Sequence, residues 1–559
     1  MMKNQLLFSP IIIFTILALS GCGGSDSSST NNKPVVEEDK QQTVVLSFSD
    51  ATSTTGISLF HANRFGSNPT MPSMFAAGVA TEDYDNDGDL DFYLIAGESG
   101  TNKLYQNQGN GSFIDVAETA GVAIEGVKGS GPVFADFDGD GLLDLFIGSV
   151  DYDPIFVFQN IGNGQFKDVT TETGLILTAP NSVSVTAGDI DFDGDLDLFM
   201  SHWGHDIDDG DSLELIWRND SNVGDIKFVD ISNSMGLNDA YFNQFDTESN
   251  PDGEEDSSFV PSLSDIDNDG DFDLLLVSDY GLTKLFRNDN GTFNQIISDA
   301  LIDQFGMGSA IADIDNDGDM DWYVTSIAER EYDGEDKNPT AGYRGNTLYL
   351  NDGTGNFANA SASRKVADGG WGWGACIADF NNDGLPDIYH VNGWGQNGQL
   401  FSMFQKDESR LFINNGDNTF SDIAAVSGVN DTNQGRGLSC NDMDNDGDID
   451  IVISNNQGPA KYYKNELTTG HSYLKIRLKG KNPNTAAIGA RVQVTTTDNL
   501  VQTKEVRLDN NFVSQNANEL HFGFGQYNGQ VIIDVTWPDG SITQQKGVNL
   551  GQTLVITNQ

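Results

Sequence analysis

Residues 83–91 read DYDNDGDLD, with aspartate at every odd place: Asp83, Asp85, Asp87, Asp89 and Asp91. Five carboxylates in nine residues repel one another strongly unless something neutralises them. The same form, D-x-[DN]-x-D-G-x-x-D, returns six more times. The copies are DFDGDGLLD (136–144), DIDFDGDLD (189–197), DIDNDGDFD (265–273), DIDNDGDMD (313–321), DFNNDGLPD (379–387) and DMDNDGDID (442–450). Their starts lie 48 to 76 residues apart, the recurrence of a repeated supersecondary unit.

Each copy runs directly into a short apolar segment, such as FYLIAG (92–97), LFIGSV (145–150) or LFMSHW (198–203). These are rich in β-branched and aromatic residues and too short for helices, so they read as strands. A second phrase follows, for example LYQNQGNGSF (104–113) and LYLNDGTGNF (348–357): strand, Asn/Gly turn, strand. One more short segment, such as GVAT (78–81) or PVFA (132–135), precedes each copy. The unit is four strands, A to D, with the aspartate loop between A and B. Seven such units predict an all-β chain, a seven-bladed β-propeller. The seventh unit has no strand D of its own. VVLSFSD (44–50) resembles the missing strand and would close the ring, removing exposed edges.

In an irregular turn, carboxylates at positions 1, 3 and 5 can converge on one point, and glycine at 6 permits the bend. The carbonyl at 7 faces inward and a carboxylate at 9 completes the shell. Hard oxygen donors in this number suit calcium, about seven ions in all. The candidate ligands are Asp83, Asp85, Asp87, Asp89 and Asp91 in loop one, and Asp136, Asp138, Asp140, Leu142 and Asp144 in loop two. Loop three supplies Asp189, Asp191, Asp193, Asp195 and Asp197; loop four supplies Asp265, Asp267, Asp269, Asp271 and Asp273. Loop five supplies Asp313, Asp315, Asp317, Asp319 and Asp321. Loop six, the poorest in carboxylates, supplies Asp379, Asn381, Asp383, Leu385 and Asp387. Loop seven supplies Asp442, Asp444, Asp446, Asp448 and Asp450. An EF-hand would need a glutamate at position 12 and a helix after it. Here position 12 is Leu94, Ile147, Met200, Leu276, Val324, His390 or Ile453, within strands, so that reading is rejected.

The 559 residues carry 84 acidic and 29 basic side chains, a formal charge of −55. That balance excludes nucleic acid as a partner and adsorption to anionic lipid. The seven loops hold 32 of the acids, so much of the charge is loop chemistry, although 52 acids remain outside against the 29 bases. At the N-terminus, Lys3 precedes an apolar run ending in LSGC, the layout of an export signal over 1–21. LSGC resembles the bacterial lipobox. That resemblance implies cleavage before Cys22, a lipid on its sulfur, and an outer-membrane, surface-exposed lipoprotein touching the membrane only through that lipid. Residues 22–43 are polar and of low complexity, a flexible tether. Two further cysteines, Cys376 and Cys440, make no disulfide framework. Export permits a bond between them, but buried free thiols are the expectation.

The long insertions, including 202–212, 327–345 and 392–410, fall between strands B and C, and 238–258 and 365–374 fall between D and the next A. Both connections lie on the face opposite the aspartate loops, where functional loops gather. Trp203, Tyr343, Arg344, Trp373 and Trp394 are the candidate ligand-binding residues there, for an extracellular protein or a glycan. The tryptophans of WGWG (371–374) fit packing between blades equally well. His202, His205 and Asp206 lack a third defined metal-ligand spacing and read as an ordinary polar loop. No nucleophile elbow, zincin helix or phosphate loop is present, and no catalytic residue is assigned.

From about 467 the repeat gives way to alternating strands: YLKIRLKG, ARVQVTTT, TKEVRL, ELHFGFG, VIIDVTW and TLVITN. They predict a small β-sandwich-like domain over 467–559, after a propeller over 44–466. The aspartate repeats resemble the FG-GAP/VCBS repeats of integrin α-subunit propellers. IGARV (488–492), VSQNANELHFGFG (513–525) and WPDG (537–540) resemble the ASPIC/UnbV domain. The arrangement is similar to bacterial relatives of the cartilage acidic protein family. The resemblance implies an extracellular, calcium-binding, adhesion-like protein without a transferable enzymatic activity. The alternatives are a calcium-dependent polysaccharide lyase or hydrolase on the same scaffold, and a periplasmic assembly factor.

Overall fold

Each repeat folds as a four-stranded antiparallel meander whose strands pair in chain order. In the first, Val79–Glu82, Asp91–Leu94, Lys103–Asn107 and Phe113–Asp115 lie side by side. The computed structural model describes residues 46–559 apart from 64–69, 178–180, 205–215, 236, 238–256, 282, 331–339, 396–400 and 509–510. The signal, Cys22 and the tether lie outside the described residues, as do His205, Asp206 and most of the insertion at 238–258. Among the described residues no helix is long and apolar enough to cross a membrane.

The inner strands of the seven meanders are Val79–Glu82, Gly129–Ala135, Ser182–Gly188, Ser258–Ser264, Ser309–Ala312, Gly372–Ala378 and Gly435–Asn441. Each neighbours the next, and the last neighbours the first, so they line one axis. The chain closes as its sequence foretells. Phe48–Asp50 pairs antiparallel with Lys461–Asn465, Phe48 opposite Asn465, and becomes the seventh meander's outer strand. That leaves no unpaired edge where the ring joins.

The inner strands of repeats six and seven bring Cys376 and Cys440 together with a Cα–Cα separation of 6.5 Å, and the two form a disulfide. This corrects the expectation of free thiols. The two cysteines stand near the ends of successive inner strands, one repeat apart, which is a neighbour relation that spacing alone does not show.

The C-terminal part forms two sheets. Tyr473–Lys479 lies between Glu519–Gly523 and Thr553–Thr557. The other sheet runs Val501–Glu505, Arg491–Thr496, Val531–Thr536, Ile542–Val548. The last strand, ITQQKGV, is largely solvated and too polar to be read as one in sequence. Between the sheets the chain leaves the domain, enters the ring axis and returns. On the way back Ser514–Gln515 pairs in parallel with Val79–Glu82.

Candidate metal centres

The bend of each aspartate loop has a fixed backbone basis. The glycine at position 6 has φ between 91° and 103° in all seven, a region closed to other residues without strain. Position 4 is also left-handed: Asn in loops one, four, five, six and seven, Gly139 in loop two, Phe192 in loop three. Asparagine tolerates that conformation and glycine is indifferent to it, so the recurrent Asn at position 4 was the readable signal.

The N–H of the position-6 glycine donates to the position-1 carboxylate in every loop, at 2.7–3.1 Å. The position-9 aspartates (Asp91, Asp144, Asp197, Asp273, Asp321, Asp387 and Asp450) are buried. Each accepts the backbone N–H of an asparagine that ends the third strand, at 2.7–2.9 Å. In loops two to seven it also accepts the N–H of position 2. Position 9 therefore anchors the loop as well as closing it.

Those asparagines were missed as functional in the sequence, although every third strand ends in one. The side chain of Asn219 donates to the Leu196 carbonyl of its own loop (3.1 Å) and to the Phe137 carbonyl of the preceding loop (2.8 Å). Asn107, Asn160, Asn351 and Asn465 do the same in their repeats. In five of the seven blades one residue thus ties two aspartate loops together.

Carboxylate oxygens of positions 1, 3 and 9 lie within 4.8 Å of one another in loops one (Asp83, Asp85, Asp91), two (Asp136, Asp138, Asp144), three (Asp189, Asp191, Asp197) and five (Asp313, Asp315, Asp321). In loop four the converging group is Asp265, Asp267 and Asp269. In loop one, Asp83 Oδ1, Asp85 Oδ1 and Asp91 Oδ2 are buried without a hydrogen-bond donor. Asp189 and Asp191 of loop three, Asp267 and Asp271 of loop four and Asp315 of loop five each leave one such oxygen. Buried acceptors of this kind are costly unless a cation or donor meets them, so the residues present fit a hard divalent ion. Position 7 contributes no side-chain oxygen to these groups. Instead Asp89, Asp319 and Asp448 accept from the position-4 asparagines Asn445, Asn268 and Asn382 of the preceding loops at 2.8–3.1 Å. In loop six, Asn381 donates to Asp383 at 3.0 Å, the interaction of a polar turn.

Burial governs the electrostatics. It pushes the Asp91 carboxyl up to about 9, with the charges of Asp85, Asp87 and Asp83 adding to it against the Asn107 N–H. Asp197, Asp273 and Asp321 are raised to about 8, chiefly by burial. Position 1 follows: Asp136 and Asp189 rise to about 6, and Asp265 and Asp313 to about 7, by burial first.

The C-terminal sheets cover this face. Asn482 Nδ2 donates to the Gly139 carbonyl (2.6 Å), His471 pairs with the Asn381 carbonyl (2.7 Å) and His521 with that of Gly447 (3.0 Å). Arg491 reaches Asn268 and the Gly318 carbonyl. The segment that enters the axis touches all seven inner strands. Glu505 binds Ser264, Arg507 the Ile311 carbonyl, Thr186 the Leu508 carbonyl, and Asn511 the Leu438 carbonyl. Gln515 binds both backbone groups of Phe134, and the Glu82 carboxylate accepts the Asn518 N–H. At the tip, Phe512 meets Phe259 and Trp373 at 5.5 and 5.1 Å between centroids. VSQNANE is thus an axial plug, which its polar composition conceals.

The opposite face corrects the expected aromatic surface. Trp373 is fully buried, and Trp203 and Trp394 are buried to within 9%. Trp394 stacks on Trp371 (4.8 Å) and Trp373 (5.7 Å), while Phe75 meets Trp203 at 4.7 Å. The guanidinium of buried Arg436 lies 4.1 Å over Trp373. The rings fill the far end of the axis, because every inner strand begins there and leaves apolar space between them. What stays at the surface is smaller. Arg344 is exposed, and Tyr343, half-buried, packs 4.5 Å from Phe305, which meets exposed Tyr280 at 6.4 Å. Tyr280 and Phe305 are additions to the sequence reading; they sit in short connections that carry no motif.

Comparison with known proteins agrees with this architecture. The FG-GAP-like repeat model matches residues 83–147, 136–200, 265–324, 340–390 and 399–453, and the ASPIC and UnbV model matches 480–559. Cartilage acidic protein 1 of mouse is 25% identical over 268 residues, 47% of this chain and 36% of that protein. The Xenopus tropicalis protein is 31% identical over 183 residues, 32% and 25% of the two chains. The matched stretches thus span well under half of those relatives. Among solved structures, the V. cholerae biofilm matrix protein Bap1 aligns with a TM-score of 0.31 and 12% identity, over 90% of this chain and 62% of that one. YCF48 from Cyanidioschyzon merolae gives 0.37 and 12%, over 70% and 97%. From the loops, the meanders and the terminal sheets together, the chain belongs to the FG-GAP-like repeat family, with an ASPIC and UnbV domain at its C-terminal end.

Proposed function

We propose that the protein is a calcium-binding, lipid-anchored propeller of the cell envelope that holds an extracellular protein or glycan. The observation that carries the metal assignment is loop one, where three buried carboxylate oxygens from Asp83, Asp85 and Asp91 converge without donors. Calcium would supply the missing positive charge there and make folding of the loop and ion binding one event. Its role is structural; the aspartate face lies under the C-terminal sheets. A partner then approaches the other face, where Tyr280, Phe305, Tyr343 and Arg344 offer aromatic area beside a cation. Anchoring rests on the LSGC sequence ending at Cys22.

The test is an array of glycans and envelope proteins probed with the calcium-loaded protein, with EDTA-treated protein, and with the Tyr280→Ala/Tyr343→Ala variant. Calcium-dependent retention, lost in the variant at unchanged melting temperature, is expected. Retention indifferent to both treatments would sink the reading, and cleavage products from a polysaccharide would replace it with an enzymatic one.

A further inference from the structure

Loop seven differs from its six counterparts in what already stands among its carboxylates. The Lys464 ammonium, from the third strand of its own repeat, pairs with Asp444 at position 3 and lies 3.2 Å from Asp446 at position 5. At position 1, Asp442 pairs with Lys475 at 2.8 Å, much as Asp83 of loop one meets Arg477 at 3.3 Å, so the distinguishing cation is Lys464. The Lys475 ammonium, 2% exposed, is shared with Glu519 (3.1 Å) and donates to Asn445 Oδ1 at position 4 (2.7 Å). Position 9 is fully engaged as well. Asp450 Oδ1 accepts the Asn465 N–H, and Oδ2 accepts both the Met443 N–H and the Tyr462 hydroxyl at 2.8 Å. Of the buried oxygens at these positions, Asp444 Oδ1 alone lacks a donor, against three in loop one, one in loop five and none in loop two.

The matching third-strand residues elsewhere are gentler. Gln106 and Gln159 each donate to a position-3 aspartate, at 2.5 and 2.6 Å, and bring no charge. Arg287, in the matching place, stands 4.0 Å from Asp267; in repeat five that place is Leu350, and Arg364, from the short helix after the fourth strand, reaches Asp315 through one oxygen. Among the described residues, a single cation bridges positions 3 and 5, where a metal ion would have to stand, only in loop seven.

We propose that loop seven is metal-free by construction. Lys464 takes the place of the divalent ion, and Lys475, contributed by the C-terminal sheets, takes position 1 and latches that domain to the ring. Loop seven belongs to the repeat that the N-terminal strand completes. A lysine-neutralised loop keeps the closing blade and its cover assembled whatever the calcium supply, while other loops load and empty. The inference rests on the metal reading above and deepens it by assigning which loop does not take part.

The experiment counts bound calcium per chain by native mass spectrometry and elemental analysis. It compares the whole protein with Asp85→Asn, Asp444→Asn and Lys464→Gln, the last giving loop seven the glutamine of repeats one and two. Circular dichroism confirms that each is folded. Expected are one ion fewer in D85N, an unchanged count in D444N and one ion more in K464Q. A loss of one ion in D444N, or an unchanged count in K464Q, overturns the proposal while leaving the metal reading intact. A parent protein that binds no calcium overturns both.

Discussion

A single asparagine in five of the blades carries more of the ring than its place in a hairpin turn implies. Asn219 is buried, and its amide satisfies one carbonyl in its own aspartate loop and one in the loop before it. Replacing it by alanine leaves both carbonyls unpaired in a place water does not reach, at about 1–3 kcal/mol each. Asn219→Ala is therefore expected to lower the melting temperature by several degrees without altering the strand content seen by circular dichroism. An unchanged melting temperature would mean that water enters between the loops and the clamp contributes nothing. The clamp was invisible in sequence for a physical reason. The Asn219 Oδ1 also accepts the Ser221 N–H, the Asx turn that a tight hairpin wants anyway, so the local demand of the hairpin hides the long-range one. The glycine at position 6 hides nothing, because its left-handed φ and the aspartates around it serve one purpose.

At the scale of elements, the ring is closed three times over: by the strand Phe48–Asp50, by the axial plug and by the disulfide across the inner strands of repeats six and seven. The disulfide joins cysteines 64 residues apart, and the chain-entropy account gives about 4 kcal/mol for a loop of that length. Reduction, or Cys376→Ser, should lower the unfolding temperature in a calorimeter, and thiol titration of the unreduced protein unfolded in denaturant should find neither cysteine. Two reactive thiols in that titration would return the pair to the free state expected from sequence. The meanders and the closing strand were legible because period-2 apolar segments and turn residues state them locally. The plug was not, because Asn511 and Gln515 are buried polar residues whose partners, the Leu438 carbonyl and both backbone groups of Phe134, lie on distant strands. The tryptophans misled for a related reason. Trp203 and Trp394 lie in the connections of the insertion-bearing face and Trp373 at the start of an inner strand beside them, and loop position is a poor guide to exposure where the loops converge on an axis.

For the whole molecule the decisive quantity is charge held out of water. The chain carries −55, and burial raises the pKa of the aspartates at positions 1 and 9 in the absence of a cation, to about 6 in Asp136, about 7 in Asp313 and about 9 in Asp91. Below the usual carboxylate range both folded and unfolded chains keep the proton. As pH rises past about 4 the unfolded chain releases it while the folded one holds on, so folding stability falls until the folded pKa is passed. His61, His390 and His521 act in the other sense. Burial lowers each to about 3, so they cost stability as pH falls from about 6.5 towards that value. Three histidines are outnumbered by the raised aspartates, and the metal-free protein should melt at a higher temperature at pH 5 than at pH 8. On the calcium proposal the ion would bind the deprotonated loops, and loaded protein should show the reverse slope over the same range. The two melting curves, in EDTA and in millimolar calcium, should draw together towards pH 5 and separate towards pH 8. Parallel curves would mean that the cation does not compete with protons for the loop carboxylates. A chelated form that gained stability with pH would show the histidines, rather than the aspartate loops, setting how the ring responds to acid.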